Sequence, residues 1–392
     1  MKYNFDKVID RSGTSAEKVE GLKHIWGRTD LIPLWVADMD FATAPFVTDA
    51  IRKRCENEVL GYTGKPDSYY NAIINWVKQR YDLIVTKEVI NFVPGIVPGI
   101  GMAMNCFTQK GDKVMIQPPV YHPFAWVTTR NERTLVINPL KWENGMYRMD
   151  LDAFREQIKG CKLFILCNPH NPGGVVWTEA ELRAIADICY DEKVLVFSDE
   201  IHADLTLPPH THRPFATVSE KARMNSVTFM SPSKAFNMPG LSASHALIFN
   251  EDLRKRFRIY MDAGELDMGH VFAFLSVEAA YSHGTEWLDQ CLAYIQGNID
   301  FVDEFLKKHA PKIKAIRPEA SYLVWLDCRE LELSQKDLNE FFVDKAHLAL
   351  NDGEMFGKEG IGFMRLNVAS PRCIIEKAMK QLADAYQLLY IK

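Results

Sequence analysis

Four short stretches of this sequence put chemically useful side chains at the ends of apolar runs, where a sheet would present them together. The first is Ser231-Pro232-Ser233-Lys234-Ala235-Phe236-Asn237, directly after the strand candidate Ser226–Met230. Its lysine falls at the C-terminal end of a strand, the edge where open α/β sheets bind ligands. Ser231 and Ser233 place hydroxyls beside it that could donate to a phosphate. Taken alone, Ser-x-x-Lys reads as a surface lysine in a polar loop. The same pattern opens the nucleophile motif of serine β-lactamases and penicillin-binding proteins, but the Ser-Asp-Asn and Lys-Thr-Gly tripeptides that accompany it there are absent.

The second stretch, Val194-Leu195-Val196-Phe197-Ser198-Asp199-Glu200-Ile201-His202, delivers a carboxylate at the end of an apolar strand. A carboxylate so placed can pair with a ring nitrogen, keep it protonated and make the ring an electron sink. Glu200 reads instead as a cap on the following turn. The third, Asn168-Pro169-His170-Asn171-Pro172-Gly173-Gly174, contains two Asn-Pro steps that force an extended, tightly turning loop and fix an amide. The fourth is Pro94-Gly95-Ile96-Val97-Pro98-Gly99, between the strand candidate Val89–Val93 and a helix expected over Gly101–Phe107. Glycine lets backbone approach an anion, and a helix N-terminus offers free N–H groups. It matches neither the dinucleotide fingerprint nor the P-loop.

These positions need a scaffold, and the surrounding pattern supplies one. Strand candidates at Lys113–Ile116, Thr134–Ile137, Lys162–Cys167, Val194–Ser198, Ser226–Met230 and His245–Phe249 alternate with amphipathic helices. The strands are apolar without strict alternation, as expected when helices cover both faces of a sheet. Thr178-Glu179-Ala180-Glu181 is a capping box opening one of those helices. The rhythm predicts a largely parallel α/β sheet. After about residue 285 a helix around Trp287–Lys308 precedes strands at Tyr322–Asp327, His347–Leu350 and Phe363–Ala369 and a final helix running to the C-terminus, which reads as a smaller α+β domain. The expected division is an N-terminal segment, 1–45, without a sheet partner of its own and packed on the small domain; a large domain, 46–284; and a small domain, 285–392.

The 392 residues suffice for such a two-domain protein, and 47% hydrophobic with 25% charged residues is an ordinary globular balance. A formal net charge of −5 gives no basic stripe for a nucleic-acid partner. Eight cysteines are scattered without a C-x-x-C pair, several in apolar runs, and read as reduced thiols. His210 and His212 lack further ligands at zinc spacing, so no metal is expected. Met1–Arg11 lacks the apolar core of a signal peptide. No stretch approaches the about 18 apolar residues of a membrane span. A soluble, cytoplasmic protein is expected.

In combination and in order, these residues resemble the fold-type I pyridoxal-phosphate (PLP) enzymes, the aspartate-aminotransferase-like superfamily, over essentially the whole chain. The closest likeness is to C–S lyases of the cystathionine β-lyase type, carried by Trp35-Val36-Ala37-Asp38-Met39-Asp40-Phe41 and by Ser233-Lys234-Ala235-Phe236-Asn237-Met238-Pro239-Gly240-Leu241. The resemblance implies a mainly parallel, seven-stranded-type sheet with a smaller α+β domain, and PLP held by Lys234 as a Schiff base. It further implies that Lys234 shuttles the Cα proton, that Asp199 pairs with the pyridine nitrogen, and that Tyr121 stacks on the ring. Asn171 would bond the ring oxygen with His202 close by. Gly95, the N–H groups of Ile96 and Val97, Ser231 and Ser233 would hold the phosphate. Arg365, in Met364-Arg365-Leu366-Asn367, would bind the substrate α-carboxylate, with Asn171 and Ala37 beside it. Tyr62 would reach the neighbouring subunit's phosphate, which implies a homodimer.

One departure matters. Aminotransferases commonly carry an arginine eight positions after the lysine, and here that position is Ser242. Hydroxyls and backbone N–H groups must then carry more of the phosphate, a pattern that fits the lyase subgroup better. The implied reaction is α,β-elimination of L-cystathionine or a related S-substituted cysteine; transamination shares its first steps and is the alternative. A non-catalytic PLP-binding regulator would need a DNA-binding segment ahead of this region, for which the sequence leaves no room. Elsewhere plainer readings stand: Trp35 as core, Asp38 and Asp40 as caps on a helix beginning near Ala44-Pro45, and His122 and His170 as loop packing.

Overall fold

The structure, a computed structural model, describes residues 3–389. Seven strands form the main sheet in the spatial order Ile90–Val93, Ser244–Leu247, Ser226–Met230, Leu195–Asp199, Cys161–Cys167, Lys113–Ile116 and Thr134–Ile137. Pairing is parallel from Thr134–Ile137 through Ser226–Met230. Ser244–Leu247 alone runs against both of its neighbours. Ile90–Val93 and Ser226–Met230 are buried at every position, which is why neither alternates in sequence. The Thr178 hydroxyl accepts from Glu181 N–H while the Glu181 carboxylate accepts from Thr178 N–H, so the expected capping box opens the helix Glu179–Asp191.

The helix expected over Gly101–Phe107 begins five residues earlier and spans Ile96–Phe107. Pro98 lies in its first turn, where backbone N–H groups have no helical partner, so proline costs nothing there. The consequence is functional: the helix N-terminus sits directly at Gly95, whose φ of 135° is open to glycine but rarely to other residues.

A second, antiparallel sheet has the order Lys314–Ile316, Leu323–Asp327, Phe363–Asn367 and Asn351–Asp352. Helices Thr285–His309 and Arg372–Leu388 pack on each other beside it. Residues 390–392, over which the last helix was expected to continue, lie outside the described residues. The N-terminal segment does have a strand partner, contrary to expectation: Ile32–Pro33 pairs in parallel with Leu348–Ala349. A two-residue strand leaves no periodicity to read. The stretch expected as a sheet strand at His347–Leu350 is thereby used on the N-terminal segment, and Asn351–Asp352 takes the place beside Phe363–Asn367. One continuous apolar core joins Phe41 of the N-terminal segment, Phe236 after the lysine, Trp287 and Leu323. Among the described residues no helix is long and apolar enough to cross a membrane.

Candidate active site

The C-terminal ends of the parallel strands surround a cavity of about 210 Å³. Lys234, Asp199, Asn171, His202, Tyr121 and Ala37 line it, brought from five separate loops and strand ends. Lys234 follows Ser226–Met230 by four residues and is half-buried. Its Nζ donates to the carbonyl of Ala37 at 2.5 Å, and the Tyr322 hydroxyl donates to the same oxygen at 2.9 Å. Burial, with the positive charge of Arg365, lowers the Lys234 amine to about 8, while Asp38 and Asp199 oppose the shift.

Asp199 is the last residue of its strand and pairs in register with Cys167 on one side and Phe229 on the other. Burial raises its carboxyl to about 7, against the Ile201 N–H, which donates to Oδ1 at 3.1 Å. It forms no ion pair among the described residues. Glu200 is not the expected turn cap. It is buried behind the site, accepting from the Ser198 hydroxyl, from Phe215 N–H and, at 2.8 Å, meeting His212 Nε2. His202 is buried too. Desolvation, then Lys234 and Arg365, lower it to about 3, so it is neutral, and its Nδ1 has no partner.

Arg365 enters from the second sheet. Nη1 donates to Asn171 Oδ1 and Nη2 to the carbonyl of Trp35, both at 3.1 Å, and Nη2 also donates to Asn351 Oδ1 at 2.5 Å. Its Nε is buried without a partner, and the guanidinium forms no ion pair among the described residues. Burial lowers it to about 10, leaving it charged at neutral pH. Because Asn171 spends its oxygen on Arg365, its NH₂ group is left for another acceptor. Both Asn-Pro peptides in that loop are cis. Tyr121 has its hydroxyl raised to about 12, chiefly by burial, and stays protonated.

At one end of the cavity lie Gly95, Ile96 and Val97 at the helix N-terminus, which has no side-chain cap. Ser233 is there too, but Ser231 is not part of the lining. Its hydroxyl is buried, donates to the Ala243 carbonyl at 2.7 Å and accepts from Ser233 N–H. Ser244, which sequence reasoning missed, and Ser242, noted there only as standing where an arginine is common, line the cavity in its place. Ser244 reaches this end because it pairs with Val93, immediately before the glycine loop. The hydroxyls of Ser233, Ser242 and Ser244 have no hydrogen-bond partner among the described residues. Cys167, also missed, lines the cavity with its thiol accepting from Asn171 N–H at 3.3 Å.

Other expected residues fall elsewhere. Tyr62 is 98% exposed and borders a separate surface pocket with Lys65 and His270. Asp38 and Asp40 cap no helix: Arg11 Nη2 meets Asp38 at 2.6 Å and the fully buried Lys18 meets Asp40 at 2.8 Å. Asn367 Nδ2 donates to the carbonyls of Val36 and Asp38, and Asn237 clamps Met39 and Phe41, so residues 36–41 are stitched to both sheets' loops. That stitching sets the Ala37 carbonyl. Trp35 is half-buried, its indole donating to the Lys18 carbonyl. His170 packs its loop against the Pro119 carbonyl, and His122 packs between Trp126 and Phe356.

The buried groups fit PLP. An isolated carboxylate suits a protonated ring nitrogen, an amide NH₂ suits a ring oxygen, and free hydroxyls with a helix N-terminus suit a phosphate. Comparison with known proteins agrees. Residues 29–382 match the model of the aminotransferase class I and II family. The cystathionine β-lyase PatB of Bacillus subtilis (strain 168) is 38% identical over 384 residues, covering 97% of this chain and 99% of that protein. Cystalysin from Treponema denticola, solved with pyridoxal 5′-phosphate, superposes with a TM-score of 0.96 at 33% identity, covering 99% and 100% of the two chains. The PLP-bound C–S lyase of Staphylococcus hominis gives 0.90 at 35% identity, covering 98% of each. With the family model matched along nearly its whole length and these relatives aligned end to end, this chain belongs to the aminotransferase class I and II family.

Proposed function

We propose that this protein is a PLP-dependent carbon–sulfur β-lyase, cleaving L-cystathionine or a related S-substituted cysteine to a thiol, pyruvate and ammonia. One observation carries the reading: Lys234 and Asp199 line one cavity, Arg365 is tied to its wall through Asn171, and none of the three has an ion pair among the described residues. Buried charges left unpaired are costly and mark places where a ligand supplies the partner. The full-length likeness to C–S lyases selects elimination among the reactions such a site can run.

When bound, PLP supplies the aldehyde that captures the substrate amine and the ring that draws electrons from Cα. Asp199 would hold a proton on the ring nitrogen, and that contact would keep its carboxylate ionised despite burial. Asn171 Nδ2 would donate to the ring oxygen, and Tyr121 would pack against the ring. Gly95, the N–H groups of Ile96 and Val97, and the hydroxyls of Ser233, Ser242 and Ser244 would hold the phosphate. Arg365 grips the substrate carboxylate beside Ala37 and Asn171, turning the Cα–H bond towards Lys234. The Lys234 amine, its basicity lowered by burial, is neutral over enough of the population at ordinary pH to take that proton. The electron pair left at Cα would expel the thiolate from Cβ, the proton held by Lys234 would pass to the departing sulfur, and water would hydrolyse the released three-carbon enamine to pyruvate and ammonia. His202, held neutral, adds no competing positive charge beside the amine.

Several wider features belong to the same proposal. The exposure of Tyr62, with Val59 and Leu60 beside it, supports a homodimer in which Tyr62 serves the neighbouring subunit's phosphate. The chain divides into an N-terminal segment to residue 45, a large domain to 284 and a small domain from 285, in keeping with the helix break at Gly284. A cytoplasmic location suits the free cysteines. The test of function is direct: supply purified protein and PLP with L-cystathionine and assay homocysteine, pyruvate and ammonia. Equal amounts of all three are expected, and pyruvate absent from the products would overturn the reading.

A further inference from the structure

Asn351 and Arg365 are cross-strand partners, directly opposed where Asn351–Asp352 pairs with Phe363–Asn367. Asn351 is buried, its Oδ1 accepts from Arg365 Nη2, and its Nδ2 reaches the Met355 sulfur at 3.3 Å. The other acceptors on the guanidinium are the Trp35 carbonyl and Asn171 Oδ1. All three are neutral dipoles. They fix the planar fork in one orientation without cancelling its charge, whereas a carboxylate in any of these places would do both. A carboxylate is only one residue away. Strand alternation turns Asp352 to the opposite side, where it accepts from Gln335, Asn339 and Glu354 N–H. The strand therefore delivers an amide, and not the adjacent acid, to the arginine.

We propose that Asn351 is a positioning residue that holds Arg365 for a substrate carboxylate while leaving the arginine's charge unspent. The inference rests on the reading of Arg365 as the carboxylate anchor. Asn351→Asp preserves shape and adds one negative charge, so it creates an internal rival for the substrate. The holoenzyme carrying Asn351→Asp should show KM for L-cystathionine raised about tenfold or more with kcat within about threefold of the parent, because ground-state and transition-state binding are lost equally. Its Tm should not fall, since the change pairs a buried cation; a merely structural asparagine would instead lower Tm and leave KM alone. Asn351→Ser retains a neutral acceptor and should keep KM within about threefold, while Asn351→Ala should raise it. If Asn351→Asp does not fold, the serine and alanine variants decide: a KM raised in alanine alone supports the role, and parental KM in both overturns it. Arg365→Ala separates the two levels. If it raises KM and Asn351→Asp does not, the role of Asn351 falls; if Arg365→Ala leaves KM unchanged, the anchor reading itself falls.

Discussion

The amine of Lys234 donates to the carbonyl of Ala37 across 2.5 Å, joining the loop after a central strand to the N-terminal segment. The Tyr322 hydroxyl shares that oxygen, so three distant parts of the chain meet at one atom. The carbonyl is fixed in turn by Asn367, Asn237 and the Arg11–Asp38 and Lys18–Asp40 pairs around it. This gives the lysine a defined resting position beside the cavity.

Two outcomes follow for Lys234. Borohydride reduction of the holoenzyme should fix PLP on Lys234, and Lys234→Ala should lose the label and at least about 10³-fold in turnover, within the range for removing a positioned acid–base group. Label on another lysine would overturn the assignment. The pH dependence has a definite sign. Burial lowers this amine to about 8, so the neutral, nucleophilic form dominates above that value. The rate of PLP capture by apoprotein should therefore rise with pH and level off just above 8. A rate still climbing towards the ordinary lysine range, about pH 10.4, would show that the amine is not perturbed.

In the proposed mechanism Asp199 carries the ring-nitrogen role. Asp199→Ala removes the buried counter-charge, and kcat should fall on the order of 10²–10³-fold, as when a preorganised electrostatic contact is deleted. PLP should still bind, because its phosphate and Lys234 contacts are untouched. Near-normal kcat would mean that another group protonates the ring.

The proposed phosphate end separates three serines. Ser244 and Ser242 present free hydroxyls to the cavity, so Ser244→Ala with Ser242→Ala should weaken PLP retention, by about 10-fold or more for bonds to a charged group, with little change in apoprotein stability. Ser231→Ala should do the reverse, lowering Tm because its hydroxyl braces the Ala243 carbonyl. Cofactor release on dilution, followed by absorbance, and thermal unfolding of apoprotein distinguish the two.

That contrast shows what could be read from the sequence. Lys234, Asp199 and Asn171 each stand just beyond an apolar run, so strand identity alone places them on one sheet edge. Ser244 and Asn351 reach the site only through pairings with Val93 and Arg365, and no local pattern encodes which strand lies next to which. Asp38 and Asp40 looked like caps because a nearby helix start is local, whereas their partners Lys18 and Arg11 lie some twenty to thirty residues back. The two-residue strand at Ile32–Pro33 was too short to leave a period. Ser231 was misplaced because its position beside Lys234 said nothing of the Ala243 carbonyl that takes its hydroxyl.

Reaction type is the last question, and the site bears on it through what surrounds the proposed carboxylate anchor. Arg365 stands behind the cavity wall, donating to the lining residue Asn171, and among the described residues no other arginine borders the cavity. A dicarboxylic substrate would have no second cation for its side chain, whereas an uncharged or zwitterionic thioether arm needs none, and its sulfur supplies the leaving group. Elimination returns PLP at every turnover; transamination leaves the cofactor in its amine form until a keto acid restores it. Pyruvate should therefore accumulate steadily from L-cystathionine with no keto acid added. Arg365→Ala should raise KM by about 10²-fold or more, the scale for truncating one partner of a buried, hydrogen-bonded charge pair. Turnover that stops after one equivalent per active site and resumes when a keto acid is supplied would identify an aminotransferase instead, with the same lysine, aspartate and arginine serving a different fate of the Cα proton.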